Sequence, residues 1–154
     1  MDALTLARAT GPTPAIAALL DAHFQLMRST SPAESCHVME PSAVFEEADV
    51  VVTAAQGAAQ LGIGALKQIG PDHGELKSMH TVAAARGQGI GAAILDDLMA
   101  RAREMGLTRL SLETGSMPEF AAARKLYANH GFEECPPFGD YVLDPLSTFM
   151  TRTL

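Results

Sequence analysis

The stretch from Arg86 to Ala93, RGQGIGAA, constrains this chain more than any other, because three alternating glycines run straight into an amphipathic helix. Gly87, Gly89 and Gly91 remove the side chains that would keep a ligand away from the backbone. The first turn of the following helix leaves its amide hydrogens without intrahelical partners. The helix dipole and the fixed charge of Arg86 add positive character there, so the turn predicts a site for a phosphate or pyrophosphate. With a strand leading in and a helix leading out, the chain reads as α/β (α+β).

The 154 residues, 47% hydrophobic and 19% charged, fit one globular domain spanning 1–154 with a substantial core. A formal charge of -7 and the lack of any lysine or arginine cluster argue against nucleic acid or anionic membrane as the main partner. An acidic surface favours a cationic small molecule such as an amine. No stretch approaches the length of a membrane span, and the opening MDALTLARATGPTP has neither the basic start nor the apolar core of a signal peptide. A cytoplasmic protein is expected. The two cysteines, Cys36 and Cys135, lie far apart, and the five histidines are scattered, so neither a disulfide nor a metal site is expected.

In chain order, residues 3–9 predict a first strand. Thr13 and Pro14 mark the start of a helix whose buried stripe is Ile16, Leu19, Leu20, His23, Phe24 and Met27. His23 on that stripe predicts a core histidine with a hydrogen-bond partner. Residues 29–41 are polar and proline-bounded, a loop with a short helix; Glu34, Ser35 and His37 beside Cys36 are candidates to line a substrate pocket. Residues 49–69 predict a hairpin in which Val50, Val51 and Val52 are covered on both faces, and 75–82 predict a third antiparallel strand leading to the glycine turn. Ile90, Ile94, Leu98, Ala102 and Met105 form the next helical stripe, stopped by Gly106. Residues 109–114 predict a strand parallel to its neighbour, because a helix intervenes. A helix over 118–130 closed by Gly131, a short strand over 132–135 and a last strand over 147–154 complete the pattern.

Three readings compete for the glycine turn. A P-loop would need a lysine and a following hydroxyl residue, and both are missing. A dinucleotide fingerprint is met by Gly87, Gly89 and Ala92, with Glu113 at the end of the next strand, yet that fingerprint belongs at the start of a βαβ unit and a meander precedes it here. The third is a resemblance: Arg86-Gly87-Gln88-Gly89-Ile90-Gly91 is similar to the (R/Q)xxGx(G/A) signature of the GNAT superfamily of acetyl-CoA-dependent N-acetyltransferases. The likeness continues through LSLETG and through Leu126 to Phe132, LYANHGF, which resembles the family's LYxxxGF. It implies a GNAT-like mixed, mostly antiparallel twisted sheet of six to seven strands flanked by about four helices. Ala83 stands where many relatives carry a proline, so this loop lacks that ring's stiffness.

Acetyl transfer from a thioester to an amine needs the donor carbonyl held beside an uncharged nitrogen, donors for the developing oxyanion and a proton for the thiolate. On the resemblance, backbone amides of Arg86, Gly87, Gln88, Gly89, Ile90, Gly91 and Ala92 hold the pyrophosphate of acetyl-CoA. Backbone groups of Met79, His80 and Thr81 then pair with its pantetheine arm on a splayed strand. Tyr127 matches the family tyrosine that protonates the thiolate. Glu75 is the candidate base, acting directly or through water, with His80, Glu113 and His37 in reserve. Glu34, His37 and Tyr141, with Phe138 and Asp140, are placed at the acceptor, a primary amine of a small molecule or a peptide amino terminus. The resemblance is compatible with a homodimer, since exposed sheet edges are often paired. The rival expectation is a non-catalytic coenzyme A-binding sensor or interaction module on the same scaffold.

Overall fold

The computed structural model describes residues 3–154. Its sheet is assembled mainly from neighbours in sequence. Strands β1 (Leu4–Ala9), β2 (Val50–Gln56), β3 (Ala59–Gln68) and β4 (His73–Thr81) pair antiparallel in succession. Helix α3 (Ile90–Glu104) then carries the chain to β5 (Arg109–Gly115), which lies parallel to β4 as the intervening helix predicts. The seven strands run in the order β1-β2-β3-β4-β5-β7-β6, with β6 (Glu133–Glu134) and β7 (Ser147–Thr153) antiparallel at the far edge.

Side chains on a strand alternate between faces, and β2 shows both faces in use. Val50 and Val52 join a core under α3 with Ile94, Leu98 and Leu110, whereas Val51 joins Ile16, Leu19 and Leu20 of helix α1 (Pro14–Thr30). The apolar run at 50–52 is thus covered on both sides, as expected. Close contact with α3 depends on glycines in β3. A Cβ on Gly62 would come within 2.8 Å of Ile94, and one on Gly64 within 2.8 Å of Ile94 and 2.9 Å of Leu98.

Helix ends follow local chemistry. Thr13 accepts a hydrogen bond from the Ile16 amide at 3.3 Å with Pro14 in the first turn of α1. Gly106 closes α3 in the left-handed region at φ +82°. Three boundaries differ from the sequence expectation, the first being that β4 starts at His73 rather than at 75. The 118–130 helix opens with a 3-10 turn, Pro118–Phe120, before helix α4 (Ala121–Asn129). The strand over 132–135 shrinks to β6, because Phe132 turns inward, 3% exposed, to pack edge-on against Tyr127. A short helix α2 (Val44–Glu47), which the sequence pattern did not reveal, is held by the fully buried Val44. Among the described residues no helix is long and apolar enough to cross a membrane.

Candidate active site

The parallel pair β4 and β5 stays in register only at His73↔Arg109, Gly74↔Leu110 and Glu75↔Ser111. Beyond Glu75 the strands part. The register of β4 on β3 also shifts, from Ala65↔Lys77 to Ile63↔His80, which inserts an extra residue in β4. Ser78 absorbs that bulge at φ +57°, the sole positive-φ non-glycine among the described residues, a conformation that costs roughly 1–3 kcal/mol. Ser78 and Met79 are thereby left out of the regular ladder on β3.

A cavity of about 800 Å³ occupies this split. The glycine turn forms part of its wall through Arg86, Gly87, Gly89, Ile90, Gly91 and Ala92, together with Met79, His80 and Thr81 of β4. Gly87 and Gly89 take φ +79° and +80°, which a side chain would resist, and Gly89 is the N-cap of α3 without a capping side chain. Arg86 N donates to the Ala83 carbonyl at 3.3 Å, so the expected run of free amides begins at Gly87 rather than at Arg86. Arg86 Nε donates to the Thr81 carbonyl at 3.3 Å and ties the turn to the end of β4. Gln88 differs from its neighbours: its amide group folds back on the Ala84 carbonyl at 3.4 Å and its side chain is not in the wall.

Tyr127 reaches the cavity from α4, only 6% exposed. Burial and the nearby charge of Glu113 push its pKa well above the usual phenol value. Glu75, equally buried at 6%, is held in a polar cluster. Its Oε2 accepts from the Tyr141 hydroxyl at 2.6 Å and from Lys77 Nζ at 3.4 Å, while Lys77 also donates to the Tyr141 oxygen at 3.2 Å. The His37 ring stands edge-on to Tyr141 with centroids 5.1 Å apart. Burial, and then the Glu75 charge, raise the Tyr141 pKa, and burial raises that of Glu113. His23 meets His80 with their Nδ1 atoms 3.3 Å apart. His23 is therefore a core histidine with a partner, and that partner lies on the cavity wall.

The structure brings Glu75, His37 and Tyr141 together but leaves Glu34 exposed and outside the wall. In the short 3-10 turn Ala33–Ser35 it is Ser35 that faces inward, donating to Asp144 at 2.7 Å. Lys77 stands in no motif, although it shares a strand face with Glu75 at a spacing of two and that alternation is the signal that points to it.

A mixed sheet parted between two parallel central strands, with a glycine turn at a helix N-terminus feeding the gap, defines the architecture of an acyltransferase. Residues 15–132 match the Acetyltransferase (GNAT) family, and the chain belongs to that family. It is 40% identical over 139 residues to the uncharacterized N-acetyltransferase YsnE of Bacillus subtilis (strain 168), covering 90% of this chain and 92% of that one. It is 32% identical over 155 residues to the IAA acetyltransferase of Azospirillum brasilense, covering 100% of both. Its fold is also similar to that of a GNAT family acetyltransferase from Elizabethkingia anophelis solved with acetyl-CoA bound, with a TM-score of 0.73, 18% identity and 98% of each chain covered.

Proposed function

We propose that this acetyltransferase moves the acetyl group of acetyl-CoA directly to a primary amine. The observation that carries this reading is the gap between β4 and β5, which joins the glycine turn, the bulge at Ser78, the Tyr127 hydroxyl and the Glu75–Tyr141 pair in one cavity. The amides from Gly87 to Ala92 fit a pyrophosphate, and Met79 to Thr81 present strand groups to a pantetheine arm. Ser78 and Met79, left out of the ladder by the bulge, are the candidate donors to the thioester carbonyl as it becomes an oxyanion.

Proton movement follows from the same geometry. An acceptor ammonium gives one proton to Glu75 through the Tyr141 hydroxyl, which already donates to that carboxylate. The neutral nitrogen attacks the carbonyl carbon, and the C–S bond breaks as the C–N bond is completed. The sulfur takes the proton of Tyr127, which the raised pKa keeps on the oxygen in the resting site. The phenolate recovers a proton from the nitrogen side, leaving amide and free thiol.

Calorimetric titration with acetyl-CoA, followed by thiol release against a panel of amines and against IAA, tests the reading. Binding with amine-dependent thiol release is expected. Thiol release with IAA alone would replace the amine as acceptor, and binding without release from any acceptor would return the chain to a coenzyme A sensor.

A further inference from the structure

In the polar cluster of the cavity the Glu75 carboxylate already has its match. Lys77 and Tyr141 both converge on Glu75. Glu113 sits two residues beyond the last β4–β5 pair, opposite Phe149 on β7, and makes no ion pair among the described residues. The Ser147 hydroxyl favours its charge, yet Ser147 Oγ is buried without closing a hydrogen bond. A half-buried carboxylate in this state has lost much of its water, and Lys77 and His37 favour its charge without closing an ion pair on it, which leaves room for a cation. Its charge is also felt by Tyr127, so it stands close to the hydroxyl assigned to the leaving sulfur.

The rest of the wall limits what that cation can be. Leu26 and Met27 of α1 and Met39 of the following loop present apolar surface. Lys77 spends two of its three donors on Glu75 and Tyr141, and a carboxylate on the acceptor would face both Glu75 and Glu113.

We infer that the Glu113 carboxylate binds the acceptor's ammonium group, so the acceptor is a cationic primary amine with an apolar body and no carboxylate close to its nitrogen. This rests on the amine-transfer reading above. Glu113 selects and places the nitrogen; the proton itself leaves toward Tyr141 and Glu75.

Direct binding tests this without turnover. The full chain is titrated with hexylammonium, hexanol and hexanoate, and Glu113→Gln and Glu113→Asp are compared with the wild type. Hexylammonium should bind best, weaken by roughly tenfold to a hundredfold in Glu113→Gln as expected for a lost charge-assisted contact, and recover in part in Glu113→Asp. Acetyl-CoA affinity should be the same in all three proteins. Hexanol or hexanoate binding as tightly as hexylammonium, wild type failing to bind hexylammonium, or Glu113→Gln binding it as tightly as wild type would each overturn the inference. Should Glu113→Gln fail to fold, the order of the three ligands on the wild type still decides. Glu113-dependent ammonium binding without thiol release would leave the inference standing and sink the transfer reading.

Discussion

Tyr127 packs its ring edge against Phe132 at 5.9 Å and leaves its hydroxyl without a partner among the described residues. A phenol kept protonated and unengaged is suited to give its proton only when a thiolate forms beside it. Tyr127→Phe is expected to lower kcat by roughly a hundredfold, in the range of a lost general acid, while leaving acetyl-CoA affinity unchanged; steady-state kinetics with parallel titrations would show it. Equal losses in both would mean that the ring only supports the pocket. Tyr141 makes a different demand, because its hydroxyl both donates to Glu75 and accepts from Lys77. Tyr141→Phe takes a donor from a buried carboxylate, and a loss of about 1.5–3 kcal/mol in transition-state stabilisation is expected from kcat/KM. The sequence marks Glu75 as a candidate base. That it shares one oxygen between two donors was not legible, since the partners come from β4 itself and from a loop over sixty residues away.

The glycine turn and the β5–α4 connection are the elements on which the cavity depends. A Cβ placed on Gly89 would meet no atom within 4 Å, so the obstacle to substitution is the positive φ alone. Gly89→Val should cost roughly 1–2 kcal/mol of backbone strain and weaken acetyl-CoA binding at least tenfold by displacing the open amides, as titration would record. Gly115 poses the opposite case. A Cβ there would overlap the Phe120 ring, and the Gly115 carbonyl accepts from Arg124 Nη1 of α4 at 2.7 Å. Gly115→Ala should destabilise the fold by roughly 1–3 kcal/mol, the usual cost of overpacking, visible as a lower urea midpoint. Because Arg124 precedes Tyr127 by less than one turn, the same change should also lower turnover. Gly89 announced itself by its pattern; Gly115 did not, because the ring that excludes a side chain there is brought in by the turn after β5.

At the scale of the molecule, buried histidines tie stability to pH. Burial first and His80 second lower the His23 pKa to about 4. The unfolded chain takes up that proton near its ordinary value of about 6.5, so between those limits the unfolded state binds more protons and stability falls as pH drops, by roughly 3 kcal/mol at the acid end. His73 and His80 are lowered too, mainly by burial, and act in the same direction. Urea unfolding at about pH 7 and about pH 5 should show the loss, and His23→Leu should flatten it; an unchanged slope would assign the dependence elsewhere. The order of strands and helices, the two-sided burial of Val50 to Val52 and the glycine turn at the start of α3 could all be read from the chain, because periodicity, caps and glycines act over a few residues. The tertiary structure alone decided where β4 leaves β5, that Ser78 takes the bulge, that Glu34 faces out while Ser35 faces in, and that Glu113 closes no ion pair among the described residues. Those outcomes depend on contacts between residues distant in sequence, where packing of α3, the 136–146 loop and β7 against the same strands sets which polar groups find partners.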